Sequence, residues 1–184
     1  MLTQVEPLPL LRLSMAKQLL SRGQLEISKS LSIDASGLNN GLTIDANGSV
    51  TNHRVMEVRS NSFVTLHSLT LTGGNATGFV PDHRGGAIYS HGTSGNSITL
   101  TLIDCIITGN SAEQGGGIFT DGSISGNASL SITSTTISDN SAEFRGGGIL
   151  SDGSANGDST ISITSSTVSH NSARFGGGIY SNGN

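Results

Sequence analysis

Short segments of the chain alternate apolar and polar residues, which is the pattern of β-strands with one buried face. Leu25 and Ile27 have polar neighbours, as do Leu31 and Ile33, and the same alternation returns over residues 64–71. Turn-forming pairs such as Ser-Gly and Asn-Gly separate these segments. The pattern predicts an all-β protein built from many short strands.

The second half of the chain repeats a glycine cassette at a nearly constant interval. The cassette is GGAI at its first occurrence and GGGI at the next three, and its isoleucines are separated by 30, 31 and 30 residues. An asparagine precedes each cassette. Self-similarity at this period is typical of a solenoid, in which one repeat stacks on the next. The cassettes end at Ile88, Ile118, Ile149 and Ile179, and the asparagines are Asn75, Asn110, Asn140 and Asn171.

Apolar residues occupy matching positions in successive repeats. Leu100, Leu130 and Ile161 align when the repeats are superposed on their asparagines. Each repeat provides three short strands with no helical segment between them, which does not fit a βαβ unit. It does fit one coil of a parallel β-helix, where each strand pairs with its equivalent in the next coil about 4.8 Å away. We therefore predict one single-stranded parallel β-helix over residues 23–184, with about five to six coils of about 30 residues each.

The first 22 residues differ in composition from the rest of the chain. Leucines mix with basic residues between Leu10 and Leu20, Pro9 could open a helix, and Gly23 could end one. This composition favours a short amphipathic helix that caps the first coil, with an opening strand of the solenoid as the alternative. At the other end the sequence stops directly after a cassette strand. We therefore expect a solenoid truncated at its C-terminus, whose open edge can associate end to end.

Charge and cysteine content exclude several classes of function. The formal net charge of −4 argues against nucleic acid as a partner, because binding phosphates needs a basic surface. Cys105 is the single cysteine, so neither an intrachain disulfide nor a cysteine-rich zinc site is expected. No apolar stretch is long enough for a membrane-spanning helix, and the N-terminus lacks the features of a secretory signal. The glycine cassettes have no lysine or following helix to hold a phosphate, and no cofactor is predicted.

The asparagine column has a structural interpretation. Identical asparagines at one turn of stacked coils can pass amide hydrogen bonds along the column. A ligand-binding role would need the amides to face solvent unpaired, whereas buried amides are normally hydrogen-bonded. We predict a structural ladder through Asn75, Asn110, Asn140 and Asn171.

The residue after each cassette isoleucine belongs to a column rich in aromatic side chains. Tyr89, Phe119, Leu150 and Tyr180 occupy this column, which we call the aromatic file. If the isoleucine points into the core, the residue after it points outward. Tyr89, Phe119 and Tyr180 are therefore the candidate ligand-binding residues, as a stacking platform for sugar rings. A self-stabilising ladder of side chains is the alternative.

Asp121 and Asp152 form a further column, three residues after the cassette isoleucines. Two stacked carboxylates could hold Ca²⁺, so this pair is a weak candidate for a metal site. An aspartate followed by glycine is also ordinary turn chemistry. Catalysis would need a basic residue facing the carboxylates, and the sequence does not indicate one there. We predict neither a catalytic residue nor a firm metal site.

The repeat motif resembles that of a known family. GGAI at residues 85–88 matches the GGA-[I/L/V] motif that chlamydial polymorphic outer-membrane proteins pair with Phe-x-x-Asn, and the three GGGI cassettes resemble it. The likeness extends over roughly residues 55–184, with Ile107, Ile137 or Val168 in place of the phenylalanine. The resemblance implies a right-handed parallel β-helix of the autotransporter-passenger type, located outside the cell or at the bacterial surface.

Taken with this likeness, the sequence favours a non-catalytic adhesive or scaffold role, with a cell-surface glycan or a host protein as partner. A polysaccharide lyase or hydrolase of the β-helix type is one alternative, which would need convergent acids and a base in a groove. An ice-binding solenoid is another, suggested by columns such as Thr99, Ser129 and Thr160. Cleavage of acidic polysaccharides would identify the first alternative, and thermal hysteresis would identify the second.

Overall fold

The chain winds into a stack of coils, and each coil adds one strand to each of three parallel sheets. The computed structural model describes residues 10–11, 17–20, 23–39, 41–59, 61–77, 83–92, 95–123, 125–154 and 156–183. The first coil contains β1 (Leu10–Leu11), β2 (Lys17–Leu19) and β3 (Leu25–Ile27). The second contains β4 (Leu31–Asp34), β5 (Leu42–Asp45), the single-turn helix α1 (Gly48–Thr51) and β6 (Met56–Arg59).

The third, fourth and fifth coils share one plan, with a short extra strand after the second strand. The third contains β7 (Ser62–His67), β8 (Leu69–Thr72), β9 (Asn75–Ala76) and β10 (Ile88–His91). The fourth contains β11 (Ser97–Ile103), β12 (Ile106–Thr108), β13 (Ser111–Gln114) and β14 (Ile118–Asp121). The fifth contains β15 (Asn127–Thr133), β16 (Thr136–Ser138), β17 (Ser141–Arg145) and β18 (Ile149–Asp152). The sixth contains β19 (Asp158–Thr164), β20 (Thr167–Ser169) and β21 (Ile179–Asn182).

Equivalent strands of successive coils pair in parallel. Sheet A has the order β1-β4-β7-β11-β15-β19, sheet B the order β2-β5-β8-β12-β16-β20, and sheet C the order β3-β6-β10-β14-β18-β21. Sheet D consists of β9, β13 and β17 and lies between the strands of sheets B and C along each coil. Each cassette isoleucine begins a strand of sheet C.

Matching apolar positions of successive coils lie directly opposite each other. Leu100 pairs with Leu130, and Leu130 pairs with Ile161, as their alignment in the sequence predicted. Side chains from sheets A, B and C meet inside the coils in one apolar cluster that runs from Leu20 to Ile149. A single repeat could not bury its own apolar face, so stacking supplies the core. The predicted all-β parallel β-helix is confirmed.

Sheets A and B meet at a corner with an unusual backbone conformation. Ser68, Asp104, Ser134 and Ser165 occupy this corner in successive coils, with φ between 49° and 57°. Short polar side chains tolerate this left-handed region better than β-branched or bulky ones. The alternation over residues 64–71 is therefore carried by two strands, β7 and β8, which turn at Ser68.

The cassette glycines meet two different backbone demands. Gly115 has φ of +65°, where a residue with a side chain would be strained. Gly116 has no such φ, but a Cβ there would lie 2.3 Å from the carbonyl oxygen of Ser141 and 2.5 Å from that of Gly147. A turn with positive φ and a close approach between coils thus both require glycine within one cassette.

The single 31-residue step has its extra residue in sheet D. Ala112 pairs with Ala142, but Gln114 pairs with Arg145, so the register shifts between the two pairs. The shift is a bulge in β17, which contains one residue more than the matching part of β13. The neighbouring sheets stay in register on both sides of it.

The N-terminal segment corrects one expectation. A capping helix was favoured over Leu10–Leu20, but β1 and β2 are strands that pair with β4 and β5. An apolar and basic composition suits an edge strand of a solenoid as well as it suits a helix, and pairing with the next coil decides between them. The remaining parts of this segment, residues 1–9 and 12–16, lie outside the described residues.

Candidate functional site

Three asparagines form a continuous amide ladder at the corner between sheets B and D. The Nδ2 atom of Asn110 donates to Oδ1 of Asn140 at 2.9 Å, and Nδ2 of Asn140 donates to Oδ1 of Asn171 at 3.0 Å. The same oxygens accept the backbone N–H groups of Asn110 and Asn140. Asn110 and Asn140 are each 1% exposed, so their polar groups are used within the fold.

Asn75 does not belong to this ladder, which corrects the predicted column. Asn75 pairs with Ser111, so Gly74 is the residue opposite Asn110, and its backbone N–H donates to Asn110 Oδ1 at 2.9 Å. The side chain of Asn75 instead hydrogen-bonds to Asn52 and accepts from Ser111. The 35-residue interval between Asn75 and Asn110, against 30 and 31 later, was the sign that the columns do not match.

A second ladder lies at the corner between sheets A and B. The backbone N–H of Cys105 donates to Oγ1 of Thr135 at 3.1 Å, and that of Thr135 donates to Oγ of Ser166 at 3.0 Å. Burial raises the pKa of the Cys105 thiol above its ordinary value. A buried, protonated thiol of this kind is unreactive, so Cys105 has a structural role.

The side chains of the aromatic file point away from the core of the β-helix, as predicted, but they do not form a solvent-exposed surface. Tyr89 is 4% exposed and Phe119 is 1% exposed, and with Leu150 they form a second apolar cluster, against which the partly buried Tyr180 packs. A sugar ring needs an exposed aromatic face to stack upon. Tyr89 and Phe119 are therefore packing residues in this structure, and only Tyr180 of the three predicted ligand residues is partly accessible.

Arginines preceding the cassettes help to cover the aromatic file. The guanidinium of Arg84 lies 5.2 Å from the centre of the Phe119 ring and 5.9 Å from that of Tyr89. The guanidinium of Arg145 lies 5.2 Å from the centre of the Tyr180 ring. All three distances suit cation–π contacts. Residues just before two of the cassettes therefore lie over the outer face of sheet C and add a second layer there.

A charged cluster adjoins this layer at Asp121. Arg84 donates to Oδ2 of Asp121 at 2.9 Å, and the Tyr89 hydroxyl donates to the same oxygen at 3.1 Å. Burial raises the pKa of Tyr89 to about 12, and the negative charge of Asp121 adds to this. The Tyr89 hydroxyl thus remains protonated and holds the carboxylate beside the arginine.

Glu57 is the centre of a neighbouring group on the same face. Its Oε1 atom lies 3.1 Å from Nε2 of His91, and its Oε2 atom accepts from Gln24 at 2.6 Å and from Arg54 at 3.4 Å. The hydrogen bond with His91 is the main reason why the pKa of Glu57 lies below its ordinary value, and Arg59 and Arg54 lower it further. His91 also stacks on Tyr89 with ring centres 4.7 Å apart, which joins the two groups.

The carboxylates of the predicted calcium pair are hydrogen-bonded to other side chains and to the backbone. Asp121 and Asp152 are register partners, as their column implied. Oδ1 of Asp121 accepts from Ser123 while Oδ2 faces Arg84, and Oδ1 of Asp152 accepts from Asn182 at 3.2 Å. No group of three or more His, Cys, Asp or Glu side chains placed to hold a metal ion occurs in the part of the chain that the structure describes.

Sequence reasoning missed Arg54, Glu57 and Arg84. It assigned no basic partner to the Asp121 column, yet Arg84 faces Asp121, and His91 lies beside it in the same register position. Arg84 precedes Asp121 by 37 residues, and the segment between them contains a full coil, so the alignment of repeats alone could not pair them. Glu57 could have been connected to the aromatic file only through the pairing of β6 with β10, which places Glu57 opposite Tyr89.

The comparisons with known proteins agree with the repeat motif. The model of the Chlamydia polymorphic membrane protein repeat matches residues 104–121, which contain Asn110 of the ladder and the cassette at residues 115–118. The search of curated proteins and the search of solved structures each gave no match. Among the residues with described structure, no helix has the length and apolar character needed to cross a membrane. The chain is a parallel β-helix repeat protein that resembles the Chlamydia polymorphic membrane proteins.

Proposed function

We propose that this chain is a non-catalytic segment of a cell-surface or secreted protein, with an adhesive or scaffold role. The likeness to the polymorphic membrane protein repeat supports the surface location. One structural observation carries the proposal of a scaffold. The polar groups of the outer sheet C face bond across coils, as Arg84 does to Asp121 and His91 does to Glu57, so they stabilise the stack.

The proposed partner is a cell-surface glycan or a host protein. Since Tyr89 and Phe119 are buried, a sugar-binding surface on this face rests on Tyr180 and its neighbours. Self-association of the coils end to end is a further part of the proposal, because Ile163 and Ile179 are exposed apolar side chains.

A catalytic alternative gains one supporting observation. Glu57 beside His91, and Asp121 beside Arg84, place acids next to bases on one face of a β-helix sheet. A lyase acting on acidic polysaccharides would need such groups free to meet the substrate. Both carboxylates are nearly buried, with Glu57 7% exposed and Asp121 5% exposed, which favours the structural interpretation.

Two measurements on the purified chain separate these functions. Labelled protein should bind saturably to cultured epithelial cells, and less after enzymatic removal of their surface glycans. Polygalacturonate and hyaluronan incubated with the protein should show no increase in ultraviolet absorbance from unsaturated products and no new reducing ends. Cleavage that is lost in both Glu57→Gln and His91→Gln would establish the enzyme instead. An absence of cell binding before and after glycan removal would contradict the adhesive role.

A further inference from the structure

Two arginines occupy equivalent positions over the aromatic file, and each comes one coil before the ring that it covers. Arg84 lies over Phe119, and Arg145 lies over Tyr180, each with the guanidinium 5.2 Å from the ring centre. The interval in sequence is the same, 119 − 84 = 35 and 180 − 145 = 35. The fold therefore builds the same arginine-over-ring arrangement twice.

The two arrangements differ at the position two residues after the aromatic residue. Arg84 is neutralised by Asp121, two residues after Phe119. The equivalent residue beside Tyr180 is Asn182, because Asp121, Asp152 and Asn182 are successive register partners. An asparagine has no charge to offer a guanidinium.

Arg145 consequently lacks an acidic partner. Within the described residues it forms no ion pair, whereas Arg54, Arg59 and Arg84 each form at least one. Its side chain is exposed, and that of Arg84 is 27% exposed. An accessible guanidinium remains where the twin arrangement has a closed salt bridge.

The surroundings of Arg145 add a second cation and a second ring. Phe175 is the bridge partner of Arg145 and is 51% exposed. The guanidinium of Arg174 lies 5.4 Å from the centre of the Phe175 ring, and Arg174 likewise forms no ion pair in the described ranges. We call Arg145, Arg174, Phe175, Tyr180 and Asn182 the Arg145 patch.

We propose that the Arg145 patch binds the carboxylate-bearing residue of an acidic glycan. This rests on the proposed adhesive function and names the ligand class. The guanidinium of Arg145 binds the ligand carboxylate in the way that Arg84 binds Asp121, with charge-assisted hydrogen bonds. The exposed ring of Phe175 provides apolar contact for the C–H face of the sugar.

Acceptor atoms beside the patch suit the hydroxyl groups of a sugar. Asn182 uses Nδ2 to donate to Asp152 Oδ1, while its Oδ1 atom makes no hydrogen bond to any residue of the described structure. Oδ2 of Asp152 is likewise without such a bond. Sugar hydroxyls donate to acceptors of this kind, so they can complete the hydrogen bonding of Asn182 and Asp152.

Calorimetric titration of the full chain with two sulfate-free oligosaccharides tests the proposal. A hyaluronan tetrasaccharide carries glucuronate carboxylates and no sulfate, and chitotetraose is a neutral oligosaccharide of the same length. We expect binding of the hyaluronan probe and at least about tenfold weaker binding of chitotetraose, since tenfold corresponds to the loss of about one charge-assisted contact.

Variants locate the site. Arg145→Gln removes the guanidinium charge, and Asn182→Asp supplies the internal carboxylate that the twin arrangement has, so each should weaken hyaluronan binding at least about tenfold. Lys29→Gln is the matched control, because it removes one exposed positive charge remote from the patch and should leave the affinity unchanged. Circular dichroism melting of each variant checks that the fold is intact.

The outcomes separate this proposal from the proposed function. Unchanged affinity in both patch variants, or polyglutamate bound as tightly as hyaluronan, overturns the assignment of an acidic-sugar site. If these variants still adhere to epithelial cells, the adhesive role stands and only the site is wrong. If neither cells nor hyaluronan are bound by the wild-type chain, both proposals fail.

Discussion

A single asparagine side chain connects three coils in this fold. Nδ2 of Asn140 donates to the carbonyl oxygen of Ile107 in the coil before, to that of Ser138 in its own coil, and to Asn171 in the coil after. Its Oδ1 atom accepts from the side chain and the backbone of Asn110. These bonds satisfy buried groups at a corner where no sheet ladder can do so.

Asn140→Ala should lower the free energy of unfolding by about 1 to 3 kcal/mol, because it leaves buried donors and acceptors of the ladder unpaired. Asn75→Ala is the matched control, since Asn75 lies outside the ladder and is only partly buried. Its cost should be about 0.5 kcal/mol, as for a residue near the surface. Urea unfolding followed by circular dichroism measures both, and equal losses would show that the ladder does not stabilise the coils.

Glu57 should make the stability of the chain depend on pH in the acid range. Its pKa in the folded state lies below the ordinary value of 4.5, so the unfolded chain takes up a proton more readily as the pH falls. The stabilisation is present above pH 4.5 and is lost as the pH falls through the folded-state pKa. Glu57→Gln should therefore flatten this part of the curve of unfolding free energy against pH.

Glu143→Gln is the control for this measurement, since Glu143 is exposed and forms no ion pair with the residues that the structure describes. It should keep the slope of the wild-type chain. The same slope in Glu57→Gln and the wild type would mean that the contact with His91 does not hold the carboxylate charged.

At the level of elements, sheet C differs from sheets A and B in having a packed layer on both faces. Isoleucines such as Ile118 fill the inner side, and Phe119 packs on the outer side under Arg84. Arg84 and Arg145, just before two of the cassettes, supply part of that outer cover. The sequence predicted the direction of each side chain, because strand alternation sets it. It could not predict the cover, which depends on contacts between residues about 35 positions apart.

Phe119→Ala should cost about 3 to 5 kcal/mol, because it opens a cavity in a fully buried cluster. Phe63→Ala is the control of the same chemistry on an exposed strand position, where Phe63 is 66% exposed, and it should cost less than about 1 kcal/mol. Chemical unfolding of the two variants compares them. If Phe119→Ala lowered the free energy of unfolding only slightly, the aromatic file would be a solvent-exposed surface, as the sequence predicted.

At the scale of the whole molecule, the 30-residue period determined the architecture before any side-chain contact was known. Cassette isoleucines and aliphatic columns predicted which strands stack, and the register of β11 on β15 and β15 on β19 follows those columns. The earlier coils lack the cassette, and they were predicted as coils of the same solenoid from their short alternating strands alone. The charged cluster around Glu57 belongs to those irregular coils, which is why the repeat pattern gave no indication of it.

Register between neighbouring coils decides which residues meet, from the asparagine ladder to the Arg145 patch. Disulfide formation measures it most directly, in a Cys105→Thr background that follows the pattern of Thr135. Thr101→Cys with Ser131→Cys joins register partners about 4.8 Å apart, within the range of a disulfide, and should cross-link under mild oxidation. Thr101→Cys with Thr133→Cys, about 8 Å apart on the same face, should remain reduced. Cross-linking of the second pair and not the first would contradict the stacked-coil register.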